Sequence, residues 1–370
     1  MMHKIRVLIV DDSALMRRVI KEILLTDDNL EVVGIAKDGE DAIEKVRLLN
    51  PDVVTMDINM PVMDGLTSMQ YILEEFSEVA VLILSSLTQE GALKTFEALE
   101  LGAFDYVSKP SGTVSSNLYI VGKEIIEKVK AAYKYIQKRN RRKRIMNNNY
   151  TAIGERSQRF YKKSDVNERN IVMSDNLSKV VVIGISTGGP STLMEVLPKI
   201  PRNLKASIIV VQHMPPSFTN QFAKRIDSAT EINFKEAEAG DIITDGRGFL
   251  APGGYQLLVR SSSIKGGNLI RLTKQPQTLF MPSVNITMES VLECFGPKRT
   301  IGVLMTGMGD DGADAMVKIK KAGGITIAED ESTAIVYGMP REAIERGGAD
   351  IVVPSHNIAR EIIKAVNMRK

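Results

Sequence analysis

IRVLIVDDSALMRR, residues Ile5–Arg18, decides the fold of the first half of the chain. A six-residue, mostly β-branched run, apolar but for Arg6, stops at two aspartates, Asp11 and Asp12, and helical spacing takes over from Ala14 to Leu25. Working outward, the same alternation repeats: EVVGIA before a helical pattern from Asp41 to Leu49, DVVTM before Leu66 to Glu75, VAVLIL before Ala92 to Leu101, and FDYVS before a helix from about Ser115. Five β-α units predict a parallel, doubly wound α/β sheet with helices on both faces.

A second α/β series begins at KVVVIGI (residues 179–185) and continues through ASIIVVQ, TIGVLMTG, GGITIAE and ADIVVPS. Helical patterns separate several of these runs, at Phe218 to Ile226, Ser283 to Phe295, Ala313 to Lys321 and Asn357 to Val366. Its middle (GFLAPGG, YQLLVRSS, LIRLTK) is β-rich, so antiparallel strands are expected as an insertion in a second doubly wound parallel sheet. Between the two series the helix from Ser115 passes IIEKVKAAYKYI and then dissolves into charge, Lys138 to Arg144, followed by polar residues to about Leu177. The expected division is therefore 1–125, a helical extension and basic linker at 126–177, and a second domain at 178–370.

Bulk properties narrow the class. A length of 370 residues with 44% hydrophobic and 25% charged suits two globular domains. A net charge of +3 is too small to demand a nucleic-acid partner. The single cysteine, Cys294, excludes an intrachain disulfide and sits in an apolar helical stretch, where it reads as core. The apolar run Val7 to Val10 is cut short by Asp11 and Asp12, unlike a secretory leader, and no stretch reaches the ~18 apolar residues of a membrane span. A cytoplasmic protein without membrane insertion is the expectation.

In a doubly wound sheet the ligand crevice lies beyond the carboxyl ends of the strands. Asp11, Asp12, Asp57, Ser85 and Lys109 all fall there. Singly, each could be a helix cap. Together, three crowded carboxylates call for a cation, and a hard, partly hydrated oxygen site suits Mg²⁺. Asp57 so placed can take a phosphoryl group, with the metal and Lys109 offsetting its charge. VLIVDDSALMRR, VVTMDINMPVMDG, LSSLT and DYVSKP resemble the response-regulator receivers over about 110 residues. The resemblance implies a flavodoxin-like (βα)5 receiver with Asp57 as phosphoacceptor. It also implies Asp12, Asp57 and the Asn59 carbonyl as metal ligands, with Asp11 supporting through water. Ser85 and Lys109 would read the phosphoryl group, and Tyr106 holds the aromatic position that repacks on activation.

KVVVIGISTGGP sets Ser186 at a strand end before Gly188 and Gly189, a turn that can hold a hydroxyl clear of the backbone beside free N–H groups. The spacing is not G-x-S-x-G, and a glycine-rich turn can equally cradle a nucleotide phosphate. Of the three histidines, His3 precedes the first strand and His356 reads as a cap or surface residue. His213 ends ASIIVVQ and so shares the sheet edge of Ser186. An orienting carboxylate is due from TIGVLMTGMGDDG, where spacing leaves Asp310 and Asp311 open.

GISTGGP, VQHMPPSFT, LAPGG with YQLLV, MPSVN, LMTGMGDDGADAM, IAED and YGMPREAI resemble the chemotaxis protein-glutamate methylesterases, whose domain order also matches. The resemblance implies Ser186 as nucleophile, His213 as general base and acid, and Asp311 as the orienting carboxylate. It further implies the Met308 N–H in the oxyanion site with Thr187 nearby. One departure is Met281 to Asn285, where that family commonly reads Arg-Pro-Ser-Val-Asp. The implied activity is phosphorylation-controlled hydrolysis of glutamyl methyl esters on chemoreceptors, with deamidation of selected glutamines. A chemotaxis histidine kinase is the implied phosphodonor, and ester hydrolysis needs no metal. The receiver is expected to cover the rim bearing Ser186 until Asp57 is phosphorylated. The competing reading is a response regulator with a nucleotide- or DNA-binding output domain, resting on the Ser186 turn and the Lys138 to Arg144 run.

Overall fold

The structure, a computed structural model, describes residues 4–109, 115–147, 179–261 and 267–368. The chain divides into two compact units, Met1–Gln158 and Arg159–Lys370.

The first unit runs β1 (Ile5–Val10), α1 (Ala14–Leu24), β2 (Leu30–Ala36), α2 (Gly39–Leu49), β3 (Val53–Asp57), α3 (Gly65–Glu75), β4 (Ala80–Ser85), α4 (Gln89–Leu101), β5 (Asp105–Ser108) and α5 (Ser115–Asn147). Its five strands are all parallel, in the order β2-β1-β3-β4-β5. That order reverses direction between β1 and β3, which opens a crevice at their carboxyl ends. The helices start where side-chain caps stand. Ser13, Asp38, Asp64 and Thr88 each accept an N–H from three residues on. Hence α2, α3 and α4 begin one to three residues earlier than apolar spacing predicts, because the capped first turn is polar or glycine.

The basic run does not end α5. Lysine and arginine are good helix formers, and the helix continues through them to Asn147. Ile125, Val129, Ala132 and Ile136 are buried, Arg139 donates to the Ser77 carbonyl, and Asn140 bonds Glu78. Lys128, itself buried, donates to the Tyr106 carbonyl at 2.6 Å and pairs with Asp105 at 3.2 Å. The expected boundary at 125/126 therefore falls inside a helix packed on the first sheet. The linker segment 148–177 lies outside the described residues, as does His3.

The second unit runs β6 (Val180–Ile185), α6 (Gly189–Val196), β7 (Ser207–Gln212), α7 (Pro216–Ala229), β8 (Asn233–Glu236), β9 (Arg247–Leu250), β10 (Gln256–Ser261), β11 (Asn268–Thr273), α8 (Val284–Phe295), β12 (Thr300–Leu304), α9 (Ala313–Ala322), β13 (Ile325–Glu329), α10 (Met339–Glu345), β14 (Ile351–Val353) and α11 (Ser355–Asn367). Seven strands form one parallel sheet in the order β14-β13-β12-β6-β7-β9-β8. GFLAPGG, read as part of an antiparallel middle, instead supplies β9, which pairs with β7 in parallel. Among the described residues the antiparallel insertion is the β10–β11 hairpin, with an isolated antiparallel bridge from Ile242 to Leu269 of β11. Leu257, Val259 and Ile270 of that hairpin bury against Val284, Met288 and Val291 of α8 in one core. Cys294 lies half-buried at its margin and donates to Asn268 at 3.1 Å. Among the described residues no helix is long and apolar enough to cross a membrane.

If α5 beyond Ile125 belongs to the first core, Ile136→Ala costs about 2–4 kcal/mol, the usual range for emptying a buried isoleucine site. Urea unfolding of a 1–147 fragment measures this, and a loss under about 0.5 kcal/mol would mean the helix is a mere extension.

Candidate active site and phosphate switch

In the second sheet the order turns back on β6, with β7 on one side and β12 on the other. The residues that follow these three strands share one rim. His213 Nδ1 stands 3.2 Å from Ser186 Oγ, and Nε2 stands 2.8 Å from Asp311 Oδ2. With the proton on Nε2, the ring donates to the carboxylate and offers Nδ1 to the serine hydroxyl.

Asp311 is held from four sides. Its Oδ2 also accepts the Val284 N–H at 2.7 Å, and its Oδ1 accepts the Ser283 hydroxyl at 2.8 Å and the Asn285 N–H at 3.0 Å. Val284 and Asn285 open α8, so these donors are first-turn N–H groups with no partner in the helix, at its positive end. Burial raises the carboxyl's pKa, but His213 and the two N–H bonds outweigh it and hold Asp311 below the ordinary carboxylate value. Asp310 faces elsewhere: it is exposed and pairs with Arg346 at 2.6 Å. Geometry thus resolves which of the two acids meets His213.

The serine backbone is fixed by a buried network. Ser186 N–H donates to the Thr306 carbonyl at 2.9 Å, while its own carbonyl accepts Gly189 N–H at 2.8 Å and Gln212 Nε2 at 3.0 Å. Thr306 N–H in turn donates to Glu329 at 2.9 Å, and its hydroxyl donates to the Thr187 carbonyl at 2.9 Å. Gly307 must be glycine here, because a Cβ would stand 2.8 Å from Ser186 Cβ and 2.2 Å from Met339 Sδ. Met308 is the next residue, so its backbone follows directly on the segment packed against the serine, and Thr187, the residue after the serine, is buried. His356 is exposed in the first turn of α11, away from any such grouping.

Phe280 was not anticipated. It stacks on the His213 ring, centroids 4.0 Å apart and planes within 3°. Gln212 and Glu329 were also missed as supports. Ser283 had a usable signal, since a serine just before an amphipathic run reads as a helix cap. Phe280 had none, because it lies in a loop with no periodicity.

In the first unit Asp11, Asp12 and Asp57 offer carboxylate oxygens within 4.8 Å of one another. Lys109 Nζ bridges Asp11 at 2.8 Å and Asp57 at 2.7 Å. Burial pushes the Asp57 carboxyl up despite Lys109, whereas Lys109, which burial alone would lower, is raised by its two acid partners. Gly65 lets α3 start directly beneath this site, since a Cβ there would stand 1.9 Å from the Asp57 carbonyl oxygen. The donor set fits a hydrated divalent cation: hard oxygens, two buried and one, Asp12, exposed to water. The Ser85 hydroxyl bonds to α4. It donates to the Gly91 carbonyl at 3.2 Å and accepts Thr95 at 2.7 Å, and Tyr106 is buried. The Asn59 side chain accepts Lys94 at 2.7 Å.

Two family profiles match the chain: the response regulator receiver domain over residues 7–115 and CheB methylesterase over residues 181–362. A Syntrophomonas wolfei protein-glutamate methylesterase/protein-glutamine glutaminase is 53% identical, with 98% of this chain and 99% of that one covered. The chain belongs to the CheB methylesterase family. A Caldanaerobacter subterraneus relative of the same description is 49% identical over 99% of this chain and 98% of its own. The crystal structure of the Thermotoga maritima CheB methylesterase catalytic domain is 42% identical, covering 50% of this chain and 97% of that one, with a TM-score of 0.48. Membership displaces the nucleotide- or DNA-binding reading of the second unit.

Asp311→Ala leaves two helix N–H groups and the Ser283 hydroxyl without their acceptor, so it should destabilise the second unit by about 3 kcal/mol at pH 7. Asp310→Ala, which breaks an exposed pair, should cost under about 1 kcal/mol. Because the folded pKa of Asp311 is depressed, its stabilisation is full above the ordinary carboxylate pKa and is lost as pH falls through the folded value. The gap between the two variants in urea unfolding should therefore close below about pH 4. Equal losses at pH 7 would contradict the geometry.

Proposed function

We propose that this chain is a protein-glutamate methylesterase, and by the same acyl chemistry a glutamine deamidase, acting in the cytoplasm on chemoreceptors under control of its receiver domain. The observation that carries the reading is the hydrogen-bonded chain Ser186–His213–Asp311 at 3.2 and 2.8 Å across three strand ends of one sheet. His213 Nδ1 takes the Ser186 proton as Oγ bonds the γ-carbonyl carbon of the glutamyl ester. The Thr187 and Met308 N–H groups face the negative oxygen that results. The tetrahedral centre collapses, methoxide takes the proton from His213, and methanol leaves. Water then gives a proton to His213 and its oxygen to the acyl carbon, which frees glutamate and returns the proton to Ser186. With a glutamine side chain the leaving group is ammonia. Asp311 stays ionised throughout and stabilises the imidazolium, consistent with its four donors.

In the receiver, Asp57 accepts the phosphoryl group from a chemotaxis histidine kinase. Asp11, Asp12, Asp57 and the Asn59 carbonyl would hold Mg²⁺, which offsets charge on the phosphoryl oxygens. Lys109 already lies on Asp57 and would follow the new oxygens. Ser85 would leave its bonds to α4 for a phosphoryl oxygen, and Tyr106 would repack with it. The unphosphorylated receiver holds the esterase down, and phosphorylation releases it.

Methanol release from methylated receptor, with and without a small phosphodonor and Mg²⁺, tests the whole reading. Ser186→Ala should lower kcat by about 10⁴-fold or more. Near-normal release from that variant would end it. Asp57→Asn should abolish the response to phosphodonor, and a retained response would remove Asp57 as the acceptor. Removing residues 1–178 should raise activity in the absence of phosphodonor, whereas a fall would rule out inhibition by the receiver.

A further inference from the structure

The two hydrogen bonds of His213 lie in the plane of its ring and leave one motion open, rocking about the line that joins Nδ1 and Nε2. Phe280, face to face at 4.0 Å, closes that motion on one side. The contact is built into its loop. Gln256, fully buried on β10, donates through Nε2 to the carbonyls of Pro276 (3.2 Å) and Phe280 (3.3 Å) and to the Thr278 hydroxyl (2.8 Å). Its Oε1 accepts the Ser283 N–H at 2.8 Å, and the Met281 carbonyl accepts Gly254 N–H at 2.8 Å. One pinned loop therefore presents an aromatic face to His213 and, three residues later, the donors that hold Asp311.

The surroundings give that face a second consequence. Residues 186–190, 214–219 and 275–285 carry no ionisable side chain, and Asp310 is engaged by Arg346. Among its described side-chain contacts the ring that becomes cationic in turnover has one charged partner, Asp311, beside the Ser186 hydroxyl and an aromatic π-face. An aromatic face attracts a cation, and stacked rings prefer to stay parallel.

We propose that Phe280 is a positioning residue for the esterase: it holds the imidazole plane in line with both Ser186 and Asp311 and favours the imidazolium as it forms. This rests on His213 as the proton carrier. The test uses the full chain, with phosphodonor and methylated receptor membranes, and compares Phe280→Leu, Phe280→Met, Phe280→Tyr and His213→Gln. The leucine and methionine variants fill the space without a ring, and should lose about tenfold in kcat with KM unchanged, while tyrosine stays within about twofold. The downfield proton resonance of the His213 Nε2–H should broaden in the leucine and methionine variants and persist with tyrosine. Normal kcat and a sharp resonance without the ring would overturn the proposal, as would a rise in KM alone, which would make Phe280 a substrate contact. If His213→Gln keeps full activity, the reading of the site fails. If that variant is dead while Phe280→Leu is normal, only the role of Phe280 fails.

Discussion

The second unit depends on where one carboxylate can be ionised while buried. Asp311 sits almost out of solvent, a costly place for a charge unless donors replace water. The replacements come from a hydroxyl, two helix-opening N–H groups and an imidazole, and each belongs to a segment that must be in register for the others to reach. The β12–α9 loop, the start of α8 and the end of β7 are thus tied at a point. A charge that stabilises the fold by accepting four hydrogen bonds is the same charge that fixes the imidazole opposite Ser186.

The receiver faces the opposite electrostatic problem. Asp11 and Asp57 are both buried and lie beside each other, so their mutual repulsion is met by one shared ammonium, Lys109. That leaves a site primed for further positive charge and for a change at Asp57. Both units place their chemistry where the strand order reverses, after β1 and β3 in one and around β6 in the other. Backbone loops there lie beyond the sheet and are free to carry polar groups, while the strands beneath are mostly apolar and almost entirely buried.

Much of this was legible in the chain. Parallel strands buried on both faces leave long β-branched runs, so VLIV and VVVIGI declare themselves, and the polar residue that stops each run marks the functional edge. Asp310 against Asp311 was not legible, because adjacent residues differ in direction only once the loop has a conformation. β8 (Asn233–Glu236) was missed since an edge strand with charged neighbours carries no apolar alternation. The length of α5 was underestimated because a charge run looks like a solvated end, yet lysine and arginine favour helix and Arg139 finds a carbonyl to cap. Phe280 belongs to a loop shaped by tertiary hydrogen bonds from Gln256 of β10, which leave no period in the sequence.

Everything proposed for the second unit turns on Ser186 Oγ acting as the nucleophile that takes up the glutamyl acyl group. The most direct measurement is acid quenching during turnover of a methylated receptor peptide, followed by mass spectrometry of the digested chain. The account predicts the receptor glutamyl group esterified to the peptide that contains Ser186, at a level that disappears when His213 is replaced. An adduct on another side chain, or turnover that leaves no acyl group on the protein when water attack is slowed, would contradict it.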